Sequence, residues 1–130
     1  MREAIAEAGL RPDDIDYINA HGTSTPLNDA SEVKAILEVF GAHAAKLAVN
    51  STKSMLGHGL GAAGAMELAA MALQVKHQRV HPTVNHEAPD DGVTLDFVKG
   101  AARPAGIRAA LSNSFGFGGH NACLLVRAWS

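Results

Sequence analysis

The sequence predicts an α/β domain in which helices pack on a mixed sheet. Three observations support this fold class. Short apolar runs alternate with segments of helical spacing, the connections carry glycine or proline, and a glycine-rich turn joins the last two apolar runs. Strand and helix in alternation favour parallel crossovers, and a short turn between two strands favours an antiparallel hairpin. With 130 residues, the chain is long enough for one domain with a buried core.

The first part of the chain is predicted to fold as helix, strand and helix. Residues 2–9 have helical spacing and end at a glycine, and residues 15–22 form a short apolar strand. Thr25 can cap the second helix, and Pro26 suits its first position. This helix ends at Gly41, and its buried face is predicted to carry Val33, Ile36, Leu37 and Phe40.

The later elements are less regular. Residues 46–53 predict a strand, and residues 57–75 predict a helix rich in alanine and glycine that can lie close to a sheet. The bulkier contacts of this helix are predicted to be Met66, Leu68, Met71 and Leu73. Residues 78–104 are mainly loop, with a short strand at 94–98. Residues 107–129 then form strand, glycine turn and strand, and the second strand is apolar enough to suit a buried position.

Composition excludes several classes of protein. Charged residues make up 18% of the chain and the net charge is −2, so neither nucleic acid nor a membrane surface is an expected partner. Charged residues interrupt the amino-terminal segment, and no apolar run is long enough to span a bilayer. The only cysteine, Cys123, lies in an apolar run and is predicted to be a buried structural thiol, which fits a reducing compartment, the cytoplasm.

Polar residues cluster where predicted strands end, which is where α/β sheets usually bind ligands. They lie in "NAHGTSTPLND", which includes the acidic residues Asp29 and Glu32, in "STKSMLGH", and in the glycine turn at 114–121. Each feature also has a purely structural explanation. His21 could be a satisfied structural histidine, Lys53 a solvated surface lysine, and Glu32 a complement to the helix macrodipole.

Taken together, the features favour a catalytic site built on two histidines. His21 and His58 end successive strand-to-helix connections, where the positive end of a helix dipole disfavours the imidazolium form. Two neutral N–H donors aimed at one oxygen would stabilise an oxyanion or enolate. A zinc site remains an alternative, although no short metal-ligand spacing supports it. The remaining histidines are predicted to be surface or loop residues: His43, His77, His81, His86 and His120.

Three blocks of the sequence resemble signature motifs of the β-ketoacyl-acyl carrier protein synthases, especially the elongating type II class. The blocks are "NAHGTSTPLNDASE", "NSTKSMLGHGLGAAGAMELA" and "SNSFGFGGHNACLLV", and they occur in the family's order. The resemblance implies an acyltransferase that condenses an acyl thioester with malonyl-acyl carrier protein in fatty acid or polyketide synthesis. It also implies acyl carrier protein as a partner, a homodimer for the full-length enzyme, and no cofactor apart from the carrier's phosphopantetheine.

The resemblance assigns roles to individual residues. His21 and His58 would hold the thioester carbonyl of the malonyl group during decarboxylation, with Lys53 and Glu32 as a supporting pair. The backbone N–H of Phe117 would form half of an oxyanion hole. The substrate-binding residues would include two threonines that face the phosphopantetheine arm, Thr23 and Thr25. The turn beside the acyl pocket would add Phe115, Gly116 and Gly118.

The resemblance also implies that part of the family enzyme is absent. Members use a cysteine nucleophile in the first half of a longer chain, and Cys123 does not match it. Residues 1–130 would therefore be an amino-terminally truncated carboxyl-terminal domain, the partial carboxyl-terminal half of a thiolase-like fold. That half has a five-stranded mixed sheet of order 3-2-1-4-5, and the chain is predicted to lack its central first strand.

Three hypotheses about function follow. The first is the carboxyl-terminal part of a β-ketoacyl synthase, inactive as an isolated chain. The second is a non-catalytic chain that complements a separate cysteine-bearing half in a split enzyme. The third is a small zinc hydrolase, which metal analysis would exclude.

Overall fold

The computed structural model describes residues 1–89 and 92–129. Its α-helices are α1 (Arg2–Glu7), α2 (Pro26–Phe40), α3 (Lys53–Leu56) and α4 (Ala63–His77). Its strands are β1 (Tyr17–Asn19), β2 (Ala48–Asn50), β3 (Arg79–Val80), β4 (Asp96–Phe97), β5 (Arg103–Pro104), β6 (Ala109–Phe115) and β7 (Asn121–Arg127). Short 3-10 turns connect several of these elements.

The main sheet has five strands in the order β4-β2-β1-β6-β7. Strand β1 pairs in parallel with both β2 and β6, β4 lies parallel to β2, and β7 closes the sheet as an antiparallel partner of β6. The predicted mixed sheet, its parallel crossovers and its terminal hairpin are thus confirmed. Strands β3 and β5 form a separate antiparallel pair.

The expectation that the central strand is missing is wrong. Counted in chain order, the five strands of the main sheet give the order 3-2-1-4-5, with the residues Tyr17–Asn19 at the centre. This strand is only three residues long, but all three are buried and both of its edges are paired. No unpaired edge is therefore left inside the sheet.

Helices cover both faces of the sheet. Ile18, Val49 and Leu111 point to the face covered by α1 and α2, where they pack with Ile36 and Phe40. The alternate strand residues point to α4, with Tyr17, Ala48 and Ala110 packing against Met71 and Val75. No helix in the described ranges is long and apolar enough to cross a membrane.

The predicted boundary and face of α4 need correction. The helix begins at Ala63 instead of residue 57, after a 3-10 turn at Leu60–Ala62. Of its four predicted contacts only Met71 is buried, while Met66, Leu68 and Leu73 are exposed. The polar residues Glu67 and Gln74 lie on the buried face in their place.

Strand β7 also differs from its prediction. Among the described residues it is an edge strand paired with β6 alone, and all of its residues are exposed or half-buried. An apolar run of this length fits a buried strand and a one-sided edge strand equally well, so its pattern does not decide between them.

Candidate functional site

The structure brings several predicted site residues together at the carboxyl end of the sheet. His21 follows β1, Lys53 begins α3 after β2, and Phe115 ends β6. His58 lies after α3 and not directly after a strand, yet its ring centroid is 5.8 Å from that of His21 in an edge-on arrangement. The ring centroid of Phe115 lies 5.6 Å from that of His21, with the two rings tilted.

Glu32 holds the loop that carries His21. Its carboxylate accepts hydrogen bonds from the backbone N–H of His21 at 2.8 Å and of Gly22 at 2.9 Å. Asn113 of β6 donates to the same carboxylate at 3.0 Å. Glu32 is thus an anchor of the loop and not a helix-dipole complement, and burial raises its pKa.

Gly22 allows two loops to approach closely. A Cβ at this position would lie 2.7 Å from Cβ of Ser51, and the residue has a positive φ of 44°. Ser51 donates its hydroxyl hydrogen to the carbonyl of Gly22 at 2.9 Å. This contact brings the His21 loop next to the turn that leads to Lys53.

Lys53 pairs with a residue that the sequence analysis did not single out. Its ammonium forms a buried ion pair with Glu67 of α4, whereas Glu32 bonds to the backbone of the His21 loop and to Asn113. The two predicted supporting residues therefore lie at the same loop without bonding to each other, and their supporting role stays a prediction. The same ammonium lies 3.3 Å from Nδ1 of His21. A sequence signal existed, because Glu67 is the only charged residue between 59 and 75, and a charge in such an apolar helix needs a partner.

These contacts fix the state of the His21 ring. An ammonium group can only donate, so Nδ1 of His21 accepts from Lys53 and the neutral ring carries its proton on Nε2. Burial is the main cause that lowers the pKa of His21 to about 4, and the positive charge of Lys53 and the neighbouring His58 contribute to the same shift. The neutral ring that the sequence predicts is therefore present, but burial is the main cause.

His58 presents its ring in the same way. The backbone N–H of Leu60 donates to Nδ1 of His58 at 3.1 Å, so the neutral ring also carries its proton on Nε2. The imidazole itself is exposed. Two neutral N–H donors at neighbouring positions can bind one oxygen atom as it gains negative charge.

The two predicted threonines lie at the same loop. Their hydroxyl oxygens, in Thr23 and Thr25, are 3.1 Å apart. Thr25 is the N-cap residue of α2 and Pro26 follows at the first position, as predicted, but the Thr25 side chain makes no capping bond. Thr23, Lys53 and His58 line an open cavity of about 640 Å³, which the loop at 83–89 bounds on the other side.

The glycine turn is a short 3-10 turn at Phe117–Gly119. The N–H of Gly116 closes it by donating to the carbonyl of His120 at 2.7 Å. Gly118 needs a positive φ of 77°, whereas Gly116 is extended. The ring of Phe117 is fully exposed, so it makes no contact with the other site residues, and the role predicted for its N–H stays a prediction.

Cys123 lies on β7, beside Asn113 of β6. It is half-buried, and its thiol donates to Oδ1 of Asn113 at 3.3 Å. Burial raises its pKa, which reduces the thiolate fraction that a nucleophile requires. Among residues 1–89 and 92–129, no group of three or more histidine, cysteine, aspartate or glutamate side chains is arranged to hold a metal ion.

Two other histidines prove to be part of the packed structure. His81 is half-buried, and its Nε2 lies 3.0 Å from the hydroxyl of Thr52. His43 is also half-buried and donates from Nε2 to the carbonyl of Ile15 at 2.8 Å. The prediction that both are only surface or loop residues is therefore too simple.

Comparison with known proteins identifies the family. Residues 1–87 match the family model described as beta-ketoacyl synthase, C-terminal domain. The chain belongs to this family. It is 52% identical over 126 residues to 3-oxoacyl-[acyl-carrier-protein] synthase 2 of Coxiella burnetii, a match that covers 97% of the chain and 30% of that relative. The chain thus spans about 30% of the length of the curated relatives that it matches.

Solved structures of the β-ketoacyl synthase family have the same fold. A type II polyketide ketosynthase in complex with its acyl-carrier protein superposes with a TM-score of 0.95 at 40% identity, covering 99% of this chain and 32% of the other. A β-ketoacyl synthase from Burkholderia phymatum gives a TM-score of 0.93 at 37% identity and covers 100% and 31%. The thiolase-like fold predicted from the sequence is thereby confirmed.

Proposed function

We propose that this chain is the histidine-bearing, carboxyl-terminal part of a 3-oxoacyl-[acyl-carrier-protein] synthase that acts in the cytoplasm. Its reaction is a decarboxylative Claisen condensation between an acyl thioester and malonyl-acyl carrier protein. The observation that carries the proposal is the pair of neutral rings of His21 and His58, each with Nδ1 occupied and Nε2 left to donate. The 52% identity to a fatty acid enzyme, against 40% to a polyketide ketosynthase, favours fatty acid synthesis.

The first chemical step places charge where these rings can stabilise it. The bond between the malonyl carboxylate and its α-carbon breaks, CO2 leaves, and the electron pair forms the enolate of the thioester. Nε2–H groups of His21 and His58 donate to the enolate oxygen, and because both rings are neutral beforehand they need no reorganisation. The enolate carbon then attacks the acyl carbonyl, and the thiolate of a cysteine outside this chain is the leaving group.

Lys53 and Glu32 act as positioning residues in this proposal. The ammonium of Lys53 keeps Nδ1 of His21 as an acceptor, so the proton stays on Nε2. Glu32 fixes the loop backbone by accepting from the N–H groups of His21 and Gly22. Thr23, Thr25 and Phe115 with the glycine turn would contact the pantetheine arm and acyl chain, and the reaction needs no cofactor beyond the carrier's phosphopantetheine.

The nucleophile is proposed to lie outside this chain. Cys123 is bonded to Asn113 and its burial raises its pKa, so it is poorly suited to form an acyl-enzyme. We therefore expect no condensation by the isolated chain. Condensation at a normal rate by purified chain without any partner would contradict this expectation.

The test of the histidine pair uses the intact protein together with its cysteine-bearing segment. Release of CO2 from malonyl-acyl carrier protein is measured for His21→Ala, His58→Ala and the control His77→Ala, which changes an exposed histidine of α4. Removal of one donor to an oxyanion costs about 100- to 1000-fold in rate, so both site variants should lose decarboxylation while the control keeps it. Retained decarboxylation in both site variants would overturn the assignment.

A second candidate function is a complementing chain of a split enzyme. Helix α4 exposes three apolar residues, Met66, Leu68 and Leu73. Their exposure supports a partner that covers this surface, which can be a further part of the same polypeptide or a separate chain. An in-frame continuation upstream in the gene would support one enzyme, and a separate gene for the cysteine half would support two. Acyl carrier protein is the proposed substrate carrier in either case, and the complete enzyme is proposed to be a homodimer.

A further inference from the structure

Three polar side chains lie in one row across the carboxyl end of the sheet. Asn19 of β1 pairs in register with Asn50 of β2 on one side and with Ser112 of β6 on the other. Residues in register on adjacent strands project to the same face, which here is the face covered by α4. Asn19 is at the centre of the row and is completely buried.

Buried amides need hydrogen-bond partners, and those of Asn19 lie in two other elements. Its Nδ2 donates to the hydroxyl of Ser112 at 3.1 Å. Its Oδ1 accepts twice from Thr52, from the backbone N–H at 3.1 Å and from the hydroxyl at 2.7 Å. The N–H contact also fixes which end of the amide faces Thr52, because that group can only donate.

Thr52 is the residue that precedes Lys53 at the start of α3. This helix has only four residues, and a helix of one turn has little stability of its own, so its position depends on tertiary contacts. Asn19 supplies a partner for the N–H of Thr52, one of the groups that a helix start leaves without an intrahelical bond. The start of α3 is thereby tied to the central strand.

We propose that Asn19 is a positioning residue that sets Lys53 against His21. The inference rests on the proposed function for the importance of Lys53, although the geometry stands alone. Asn19 lies two residues before His21 on one strand end and binds the residue before Lys53 on the next. Asn19 therefore links the strand end that leads to His21 with the start of the helix that carries Lys53. The 3.3 Å contact between Lys53 Nζ and His21 Nδ1 is where these two segments meet.

The same row provides a matched control. Asn50 is the same residue type at the same level of the neighbouring strand, and it is 1% exposed against 0% for Asn19. Its amide bonds to Tyr17, Gln74 and the carbonyl of His81 and makes no bond to Thr52. A general loss of packing should affect both asparagine variants alike, whereas a positioning role is specific to Asn19.

The first measurement is independent of catalysis. The His21 ring is titrated by NMR in the full chain for wild type, Asn19→Ala and Asn50→Ala. If Asn19→Ala moves Lys53 away, the pKa of His21 should rise toward its ordinary range, because a positive neighbour is lost. Asn50→Ala should leave that pKa unchanged. An unchanged pKa in Asn19→Ala, or an equal rise in both variants, would overturn the proposal.

The second measurement uses the intact protein with its cysteine-bearing segment. Asn19→Ala should lower kcat for malonyl decarboxylation by about 10- to 100-fold with little change in KM, and Asn50→Ala should retain the wild-type kcat. If the wild type itself does not decarboxylate malonyl-acyl carrier protein, the proposed function fails, while the titration still decides the role of Asn19.

A second pair of variants covers the case in which Asn19→Ala does not fold. Thr52→Val removes the hydroxyl that donates to Asn19, together with its contact to His81, and Thr52→Ser keeps both. Thr52→Val should shift the His21 titration upward and Thr52→Ser should restore it. Identical titrations in the two variants would count against the proposal.

Discussion

The buried ion pair between Lys53 and Glu67 gives the sharpest stability prediction. The two side chains are 6% and 2% exposed, so neither charge is well solvated. Among the described residues, Oε2 of Glu67 has no hydrogen-bond partner. The pair is thus desolvated and only partly satisfied, which is the situation in which removing one partner costs much more than removing both.

The magnitudes follow from this geometry. Glu67→Leu leaves the ammonium of Lys53 buried without its carboxylate, and Lys53→Met leaves the carboxylate alone, so each should cost about 3–5 kcal/mol. The double variant buries no charge and should cost far less than the sum, with a coupling energy of about 2 kcal/mol or more. These single losses are a large fraction of the about 5–15 kcal/mol that stabilises a typical domain.

Urea unfolding at constant pH measures these free energies of unfolding. The dependence of the free energy on urea concentration should be the same for all variants, because a changed slope would mean that a variant alters the unfolded state. The control is the pair between Arg2 and Glu38, which joins two side chains that are 65% and 64% exposed. Its coupling should be about 0–1 kcal/mol. If Lys53→Met and Glu67→Leu each cost less than about 1 kcal/mol, or if their effects simply add, the description of a poorly solvated pair is incorrect.

Two further predictions concern the His21 loop. Because the pKa of His21 is lowered from 6.5 to about 4 by burial and then by nearby positive charge, the unfolded state binds more protons in this range and stability should fall as pH drops from about 6.5 to 4. Urea unfolding across this range should show a weaker loss in His21→Asn, and parallel curves would refute it. The second prediction is that Gly22→Ala lowers the free energy of unfolding by about 1–3 kcal/mol more than Gly9→Ala. Both glycines have positive φ, but only at position 22 would the added methyl group clash with Ser51. Equal losses of stability in thermal or urea unfolding would contradict the close contact.

Local sequence pattern predicts the element types well but not the place of each strand in the sheet. The alternation of strand and helix gives the parallel crossovers and the final hairpin correctly. The residues of a strand do not determine which strands it pairs with, because pairing depends on contacts between residues that are distant in the sequence. Tyr17–Asn19 could therefore be recognised as a strand and still be placed wrongly, and β7 could be recognised but not located at the edge.

The helix α4 shows a second physical limit. The helix is rich in alanine on all sides, so its apolar periodicity does not single out one face. The buried face includes the polar residues Glu67 and Gln74, which apolar periodicity alone would assign to the solvent side. Lys53 compensates the burial of Glu67, and Tyr17 and Asn50 bind the amide of Gln74. These partners lie between 14 and 57 positions away in the sequence.

The candidate site follows from the same long-range contacts. The signature motifs are sufficient to name His21, His58 and Lys53, but they do not say which side chains hold them. Asn113 supports Glu32 from one face of the sheet, and Asn19 supports the start of α3 from the other. Because strand residues alternate between faces, successive residues at these strand ends hold the His21 loop from one side of the sheet and the start of α3 from the other. This explains why polar residues stand at strand ends where a purely structural sheet would carry apolar ones.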